Sequence, residues 1–424
     1  MTESSLGAWL AGRVGSRAAR ALASEFVRLP NPKSGIVVGA DARSTVLSIL
    51  LDALMPGDTL TVVVDEPHVA EVSTAVREHG DWLIPRVTVV SDLEAAKPAH
   101  AVVLAQPMTG NAEQAAHTVA TLRELLLPGG VLSLAVPARP ALAGSAGEEI
   151  IRQAGAYGVG SDLVLRNLPA LRVHRLRFTT PDLDQVDQLI PAYRPSSVPL
   201  TRGMHIDSNG LAAAGVCLTA AALLRRIRPI GRLWLVPALA ALPVAAFFRD
   251  PERLTPDDPD AVVAASDGKV LAVERLTDDR LASVGVDQWL RISVFLSILD
   301  VHINRAPVAG RVVDVIREPG GYAPAMKPAA EHNVAAYTVL ETPRGPVAVA
   351  QRTGLVARRI VNRTRPGMLL AKGERYGLIR FGSRTDVYLP ADAARPLVAP
   401  NDRVVGGSTV IARWVDTKDQ NPGD

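Results

Sequence analysis

Between about Lys33 and Pro137 the chain alternates short, continuously apolar runs with segments of helical period. GIVVGA (Gly35–Ala40), LTVVVDEP (Leu60–Pro67), VTVVSDL (Val87–Leu93), AVVLAQP (Ala101–Pro107) and GGVLSLAVP (Gly129–Pro137) read as strands, with helices over Thr45–Leu54 and Asn111–Leu127 among the segments between them. Strands apolar at every position are buried on both faces, so this pattern predicts a parallel, doubly wound α/β sheet. Such sheets bind ligands beyond the carboxyl ends of their strands. Pro181–Pro199 is rich in Pro, Asp and Ser and reads as a linker. Two apolar runs follow, Leu211–Leu224 and Leu233–Phe248, joined by a stretch holding Arg225, Arg226, Arg228, Pro229 and Arg232. Each run is shorter than the roughly 20 residues a spanning helix needs. Neither shows a polar face, so a helical hairpin resting at an anionic membrane surface is expected over a buried soluble hairpin. From Arg249 onward, valine-rich strands alternate with Gly and Pro turns, which predicts a mostly β domain. The expected layout is residues 1–180, an α/β domain; 181–204, a linker; 205–250, the hairpin; 251–415, the β domain; and 416–424, a tail.

Composition narrows the partners. The 424 residues carry a formal charge of only +3 and 4% aromatics, with no basic stripe, so nucleic acid is not an expected partner. The single cysteine, Cys217, excludes a disulfide framework and cysteine metal sites; it reads as a small buried hydrophobe, and no metal is expected. The first 26 residues space Arg13, Arg17 and Arg20 between short apolar groups, an amphipathic helix without the features of a secretory signal.

Candidate chemistry is concentrated in the β domain. AASDGKV holds Asp267, SILDVHINRAPVAG holds His302 and Arg305, and KGERYGLIRFGSR holds Gly382-Ser383. Alone, an aspartate before glycine is ordinarily a turn residue and an isolated histidine ordinarily structural. A second Gly-Ser pair, Gly407-Ser408, lies in NDRVVGGSTVIA.

Together, FFRDPER (Phe247–Arg253), SDGKV (Ser266–Val270), RISVFLSILDVHINRAPVAG (Arg291–Gly310), QRTGLVARRIV (Gln351–Val361) and GERYGLIRFGSRTDVYLP (Gly373–Pro390) resemble the short bacterial type of phosphatidylserine decarboxylase proenzyme. The resemblance implies a pyruvoyl-dependent enzyme that cuts itself between Gly382 and Ser383. Ser383 would become a pyruvoyl group that forms a Schiff base with phosphatidylserine, releasing carbon dioxide and leaving phosphatidylethanolamine. It implies Asp267 for self-processing and His302 for decarboxylation, with Arg305, Asn333 and Arg384 as substrate-contacting or site-shaping residues. It further implies the two cleaved fragments held as a heterodimer, a homodimer, and residence at the cytoplasmic face of the cell membrane. Arg305 stands where long-form relatives carry a second histidine, and it cannot act as a base. The run KGERYGLIRFGS leads to Ser383, whereas Ser408 fits a turn, so Ser383 is the expected cleavage residue. The archaetidylserine-type relatives share most of these motifs and remain an alternative.

The N-terminal order of features resembles a class I S-adenosylmethionine-dependent methyltransferase domain. Gly39 ends the first strand, Asp65 the second, Asp92 follows the third, and LLPGGVL (Leu126–Leu132) precedes the fifth. The resemblance implies an S-adenosylmethionine-like ligand near Gly39, Asp65 and Asp92, but VVGADARS lacks the further glycines of that family's loop. A methyltransferase whose C-terminal half only binds membranes is therefore the rival reading. A carrier-like β module is a second rival, without the hairpin-tip lysine that carriers need.

Overall fold

The computed structural model describes residues 14–227, 231–355, 359–380 and 382–415. They fall into two compact units, Met1–Pro195 and Ser196–Asp424.

The N-terminal unit is built on seven strands: β1 (Ser34–Val38), β2 (Thr59–Val63), β3 (Val87–Val90), β4 (Ala99–Leu104), β5 (Leu126–Pro137), β6 (Gly158–Val164) and β7 (Leu171–Leu176). Their order is β3-β2-β1-β4-β5-β7-β6. β1 to β5 run parallel, and β7 is antiparallel to both neighbours. Helices α1 (Ser16–Arg28), α2 (Thr45–Asp52) and α3 (Val69–His79) cover one face; α4 (Ala112–Glu124) and α5 (Pro140–Tyr157) cover the other. This is the doubly wound α/β fold that the continuously apolar strands predict. Local signals set the helix starts. Ser44 accepts from the Leu47 N–H at the head of α2, and Asn111 accepts from Gln114 at the head of α4. The basic N-terminal helix is α1, from Ser16 on, and its Ala18, Leu22 and Phe26 are buried in the core; Arg13 lies outside the described residues.

The C-terminal unit opens with β8 (Ser197–Thr201) and β9 (Met204–Asp207), and β9 also pairs with β10 (Arg249–Pro251). This corrects the linker expectation for the residues from 197 onward: their backbone groups find partners in a three-stranded sheet, where a linker would leave them to water. Between β9 and β10 rise α6 (Ser208–Arg225) and α7 (Leu235–Phe247), the expected hairpin; Arg228 and Pro229 lie outside the described residues. Asp207 caps α6 by accepting from the Asn209 N–H. The helices pack on each other, and the Arg225 guanidinium lies 5.4 Å from the Trp234 ring centre at the far end. Most of their apolar surface faces outward, with only Gly210 and Ala221 of α6 buried. Cys217, expected to be buried, is half-exposed on α6 for the same reason.

The rest of the unit is antiparallel sheet. Its strands are β11 (Ala261–Val263), β12 (Gly268–Leu276), β13 (Trp289–Leu296), β14 (Ile303–Arg305), β15 (Gly310–Glu318), β16 (Ala335–Thr342), β17 (Gly345–Arg352), β18 (Ile360–Asn362), β19 (Leu369–Leu370), β20 (Arg375–Ile379), β21 (Ser383–Pro390), β22 (Ala394–Pro396), β23 (Arg403–Val404) and β24 (Val410–Trp414). Eight form one sheet, β19-β15-β16-β17-β21-β13-β12-β23; two three-stranded sheets, β14-β20-β18 and β11-β24-β22, complete the unit. β21 is interior to the large sheet and all eight of its residues are buried, which requires that both faces be covered.

Candidate active site

Ser383 opens β21 opposite Leu296 of β13. The residue is 0% exposed, and its hydroxyl has no hydrogen-bond partner among the described residues. A buried, unpartnered hydroxyl is costly, and it marks a place where the fold serves something other than its own stability. Gly382, just before it, has φ +60°, in the left-handed region that a side chain disfavours. Gly354, beyond the end of β17, lies against the same peptide. A Cβ built on Gly354 would sit 2.1 Å from the Gly382 carbonyl oxygen, so only glycine admits this approach.

Strand period explains what lies beside Ser383. Thr385 is two residues on and shares its face. Its hydroxyl is 2.7 Å from that of Ser266, and both residues are fully buried. Ser266 and Asp267 form the turn that leads into β12, so this contact ties the Asp267 turn to the strand that begins at Ser383. The Asp267 carboxylate accepts from the Gly406 N–H at 2.8 Å and from Arg253 Nη2 at 2.7 Å. Burial pushes its pKa above the usual carboxylate range, and these two donors only partly offset that. The second Gly-Ser stretch thus has a structural task. Gly406 holds Asp267, while Ser408 lies in a turn, its N–H donating to Val405 O at 3.1 Å.

His302 is 2% exposed, and its Nδ1 is 2.9 Å from the Asp300 carbonyl. A carbonyl only accepts, so Nδ1 carries the proton and Nε2 presents a lone pair; Nε2 is buried and has no partner among the described residues. Burial drives the imidazole pKa down to about 4, so the ring is neutral at physiological pH. The ring packs on Phe247 at the end of α7, centroids 4.3 Å apart. The His302 carbonyl accepts from the Ile379 N–H in β20, the strand that leads toward Gly382.

The three remaining candidates are engaged inside the protein. Arg305 donates to the Gly373 and Pro251 carbonyls and to Asp250, which also accepts from Arg375 and Ser197. It fastens RDPER to the strands behind His302. Asn333 is saturated by the Ala323 N–H, the Ala323 carbonyl and the Thr353 carbonyl, and so holds the backbone next to Gly354. Arg384 points to the opposite face of β21 from Ser383, where it bonds Asp386 and Glu331. All three are held by partners within the protein.

That opposite face carries a charge network that sequence reasoning missed. Arg352 bonds Asp386 and Glu331, and Arg291 bonds Glu331 and Glu274. Burial alone would raise the Asp386 carboxyl; Arg384 and Arg352 outweigh it and hold the pKa down to about 2. The alternation Ser383-Arg384-Thr385-Asp386 was the available signal, since it sorts hydroxyls to one face and charges to the other. Ser266 and Gly354 were missed because only the folded chain brings them beside Ser383 and Gly382.

In the N-terminal unit, Gly39 (φ +72°), Asp65 and Asp92 lie just past the carboxyl ends of the adjacent strands β1, β2 and β3. Asp65 and Asp92 are exposed, and Asp92 caps a short turn by accepting from the Glu94 N–H. Among the described residues no cluster of His, Cys, Asp and Glu is suited to a metal ion.

Residues 241–412 match the family model described as phosphatidylserine decarboxylase. Solved structures similar to the N-terminal part include a putative O-methyltransferase from Klebsiella pneumoniae, 11% identical, covering 41% of this chain and 86% of that one at a TM-score of 0.31. Another is an O-methyltransferase from Bacillus cereus in complex with SAH, 11% identical, covering 41% and 88% at 0.29. A third is Aeropyrum pernix fibrillarin with natively bound S-adenosyl-L-methionine, 17% identical, covering 37% and 73% at 0.28. The C-terminal part is thus similar to a decarboxylase family, and the N-terminal part to methyltransferases in fold alone.

Proposed function

We propose that this chain is a self-processing phosphatidylserine decarboxylase that cuts itself between Gly382 and Ser383. The observation that carries the reading is the buried, unpartnered Ser383 hydroxyl directly after a left-handed glycine whose carbonyl is crowded by Gly354.

In the proposed cleavage the Ser383 hydroxyl adds to the Gly382 carbonyl carbon. The C–N bond breaks, the Ser383 nitrogen takes up a proton, and an ester replaces the amide. Loss of the Ser383 α-proton then expels the Gly382 carboxylate, and hydrolysis of the resulting enamine releases ammonia. Asp267 suits the role of proton acceptor in this sequence: burial raises its carboxyl pKa, which makes it a stronger base than an exposed aspartate. Ser266 and Thr385 link its turn to the Ser383 strand. The residues fit the group that cleavage would leave, because β21 begins at Ser383 and buries it completely. That pyruvoyl group would supply an electrophilic ketone and an electron sink for the loss of carbon dioxide from an amino acid headgroup.

His302 is the residue suited to relay a proton to the substrate carbon: its Nε2 lone pair can take a proton from the substrate's ammonium group and pass it on. It is neutral, buried, and fixed in one tautomer by the Asp300 carbonyl, with Nε2 unengaged among the described residues. A lipid substrate agrees with the outward apolar surface of α6 and α7, which supports a reaction at a membrane surface; among the described residues only α6 is long and apolar enough to qualify as a candidate span.

Intact mass is the decisive test. Two fragments parting at Gly382/Ser383, the smaller with a pyruvoyl terminus, are expected; a single uncut chain refutes self-processing. Asp267→Ala is expected to leave the chain uncut on a denaturing gel. His302→Ala is expected to cut normally and to release no carbon dioxide from phosphatidylserine vesicles.

A further inference from the structure

Three arginines stand at the foot of the α6–α7 hairpin without a carboxylate ion pair among the described residues. Arg380, two residues before Gly382, lies with its guanidinium 5.8 Å from the Phe248 ring centre and donates from Nη2 to the Asn209 side-chain oxygen at 2.9 Å. Its Nε is buried and has no partner among the described residues. Asp207, the nearby carboxylate, is already engaged by Arg363 at 2.7 Å and by Asn209. Arg359 is exposed, and its carbonyl accepts from the Arg380 N–H at 3.2 Å. Burial lowers the Arg380 pKa and the positive charge of Arg359 lowers it further, while the Asp207 carboxylate offsets this only in part. Arg249, two residues past the end of α7, donates among the described residues only to the neutral carbonyls of Ala246 and Leu299. Beside it the loop carrying Ile298 and Leu299 exposes 58% and 82% of those side chains.

Leaving cations partly desolvated beside one another, with neutral partners only, is unfavourable unless an anion completes the site. The position specifies which anion. Asn209 begins α6 and Phe247 ends α7, so these guanidiniums sit where the hairpin's outward apolar surface gives way to the sheet domain. On a membrane that level is the headgroup layer. A forked guanidinium matches the non-bridging oxygens of a phosphate.

We infer that Arg380, with Arg359 beside it, forms the binding site for the phosphodiester of a glycerophospholipid headgroup drawn from the bilayer. This rests on the decarboxylase reading for its substrate, and it assigns the step that reading leaves open: what anchors the lipid while its amino acid end reaches toward Ser383 and His302. The arginines bind charge and orient; they take no part in bond breaking.

The test uses the full chain on vesicles of phosphatidylserine in phosphatidylcholine, with cleavage at 382/383 on a gel reporting that each variant folds. Arg380→Gln is expected to raise the surface fraction of phosphatidylserine needed for half-maximal rate by about tenfold or more, with kcat within about twofold. Arg380→Lys, which keeps charge but loses the fork, is expected to fall between the two. An unchanged half-saturation, or a loss confined to kcat, overturns the proposal. If Arg380→Gln fails to fold, exposed Arg359→Gln carries the same expectation with a smaller shift and the same overturning result. Soluble glycerophosphoserine is expected to inhibit the wild type and to do so more weakly in Arg380→Gln. Inhibition by inorganic phosphate alone would assign the site to free phosphate and overturn the lipid assignment. Failure of the decarboxylase reading is recognised separately. A wild type that releases no carbon dioxide sinks that reading, while flotation still compares its preference for phosphatidylserine over pure phosphatidylcholine vesicles with that of Arg380→Gln. Equal preference in that comparison refutes the phosphodiester site by itself.

Discussion

At the scale of single residues, His302 links proton chemistry to stability. Its folded pKa of about 4 lies below the ordinary value of 6.5, so the unfolded chain binds the proton more readily. Stability from this group is therefore complete above about pH 6.5, declines as pH falls toward 4, and levels off below that. The decline amounts to on the order of 3 kcal/mol. Thermal unfolding of wild type and His302→Phe across pH 4 to 7 checks it: the variant's Tm profile should be flatter over that window, and parallel profiles would remove His302 as the cause. Gly354 makes a second residue-scale prediction. In Gly354→Ala the new methyl must displace the Gly382 carbonyl, since 2.1 Å is far inside contact distance. Self-cleavage should slow by about tenfold or more, as small misplacements of reacting atoms do, while the chain stays soluble. Cleavage at the normal rate would show that the Gly382 peptide tolerates movement.

At the scale of elements, β21 separates two jobs by its pleat. One face presents Ser383 and Thr385; the other anchors Arg384 and Asp386 in the network with Arg352, Glu331 and Arg291. Removing Asp386 leaves several buried guanidiniums uncompensated. Asp386→Ala should therefore cost about 3–5 kcal/mol in denaturant unfolding, and a loss below about 1 kcal/mol would mean the network relaxes onto water. The hairpin makes a different prediction. Leu239 and Leu242 of α7 are 72% and 77% exposed, and replacing both with Gln should sharply reduce sedimentation with vesicles. Undiminished sedimentation would place membrane attachment elsewhere on the chain. These elements were unequally legible in the sequence. Continuous apolar strands and both hairpin helices could be read directly, because period carries them, whereas Ser383, His302 and Asp267 were singled out only through the resemblance their motifs carry. The pairing of Ser266 with Thr385, the approach of Gly354 to Gly382 and the saturation of Arg305 and Asn333 could not. Each joins segments tens of residues apart, through a register that only the assembled sheets define.

At the scale of the whole molecule, two compact units share one chain, each with its own core. The N-terminal unit places Gly39, Asp65 and Asp92 along the carboxyl edge of its sheet, while its first loop carries Ala40 and Arg43. Titration with S-adenosylmethionine decides what that edge retains; no binding heat at millimolar ligand would reduce it to a scaffold. In the C-terminal unit, β21 lies between β17 and β13 with all eight residues buried, and the proposed cut falls at its first residue. A chain cut there keeps its shape because the ladder still holds it, but it no longer has one route back from the unfolded state. Uncut Ser383→Ala should unfold reversibly, independent of concentration, whereas the cut protein must find its missing central strand by collision, so its recovery should depend on concentration. On the proposed cleavage the fold is assembled once, as a single chain, and the reaction that arms it would also erase the instructions for rebuilding it.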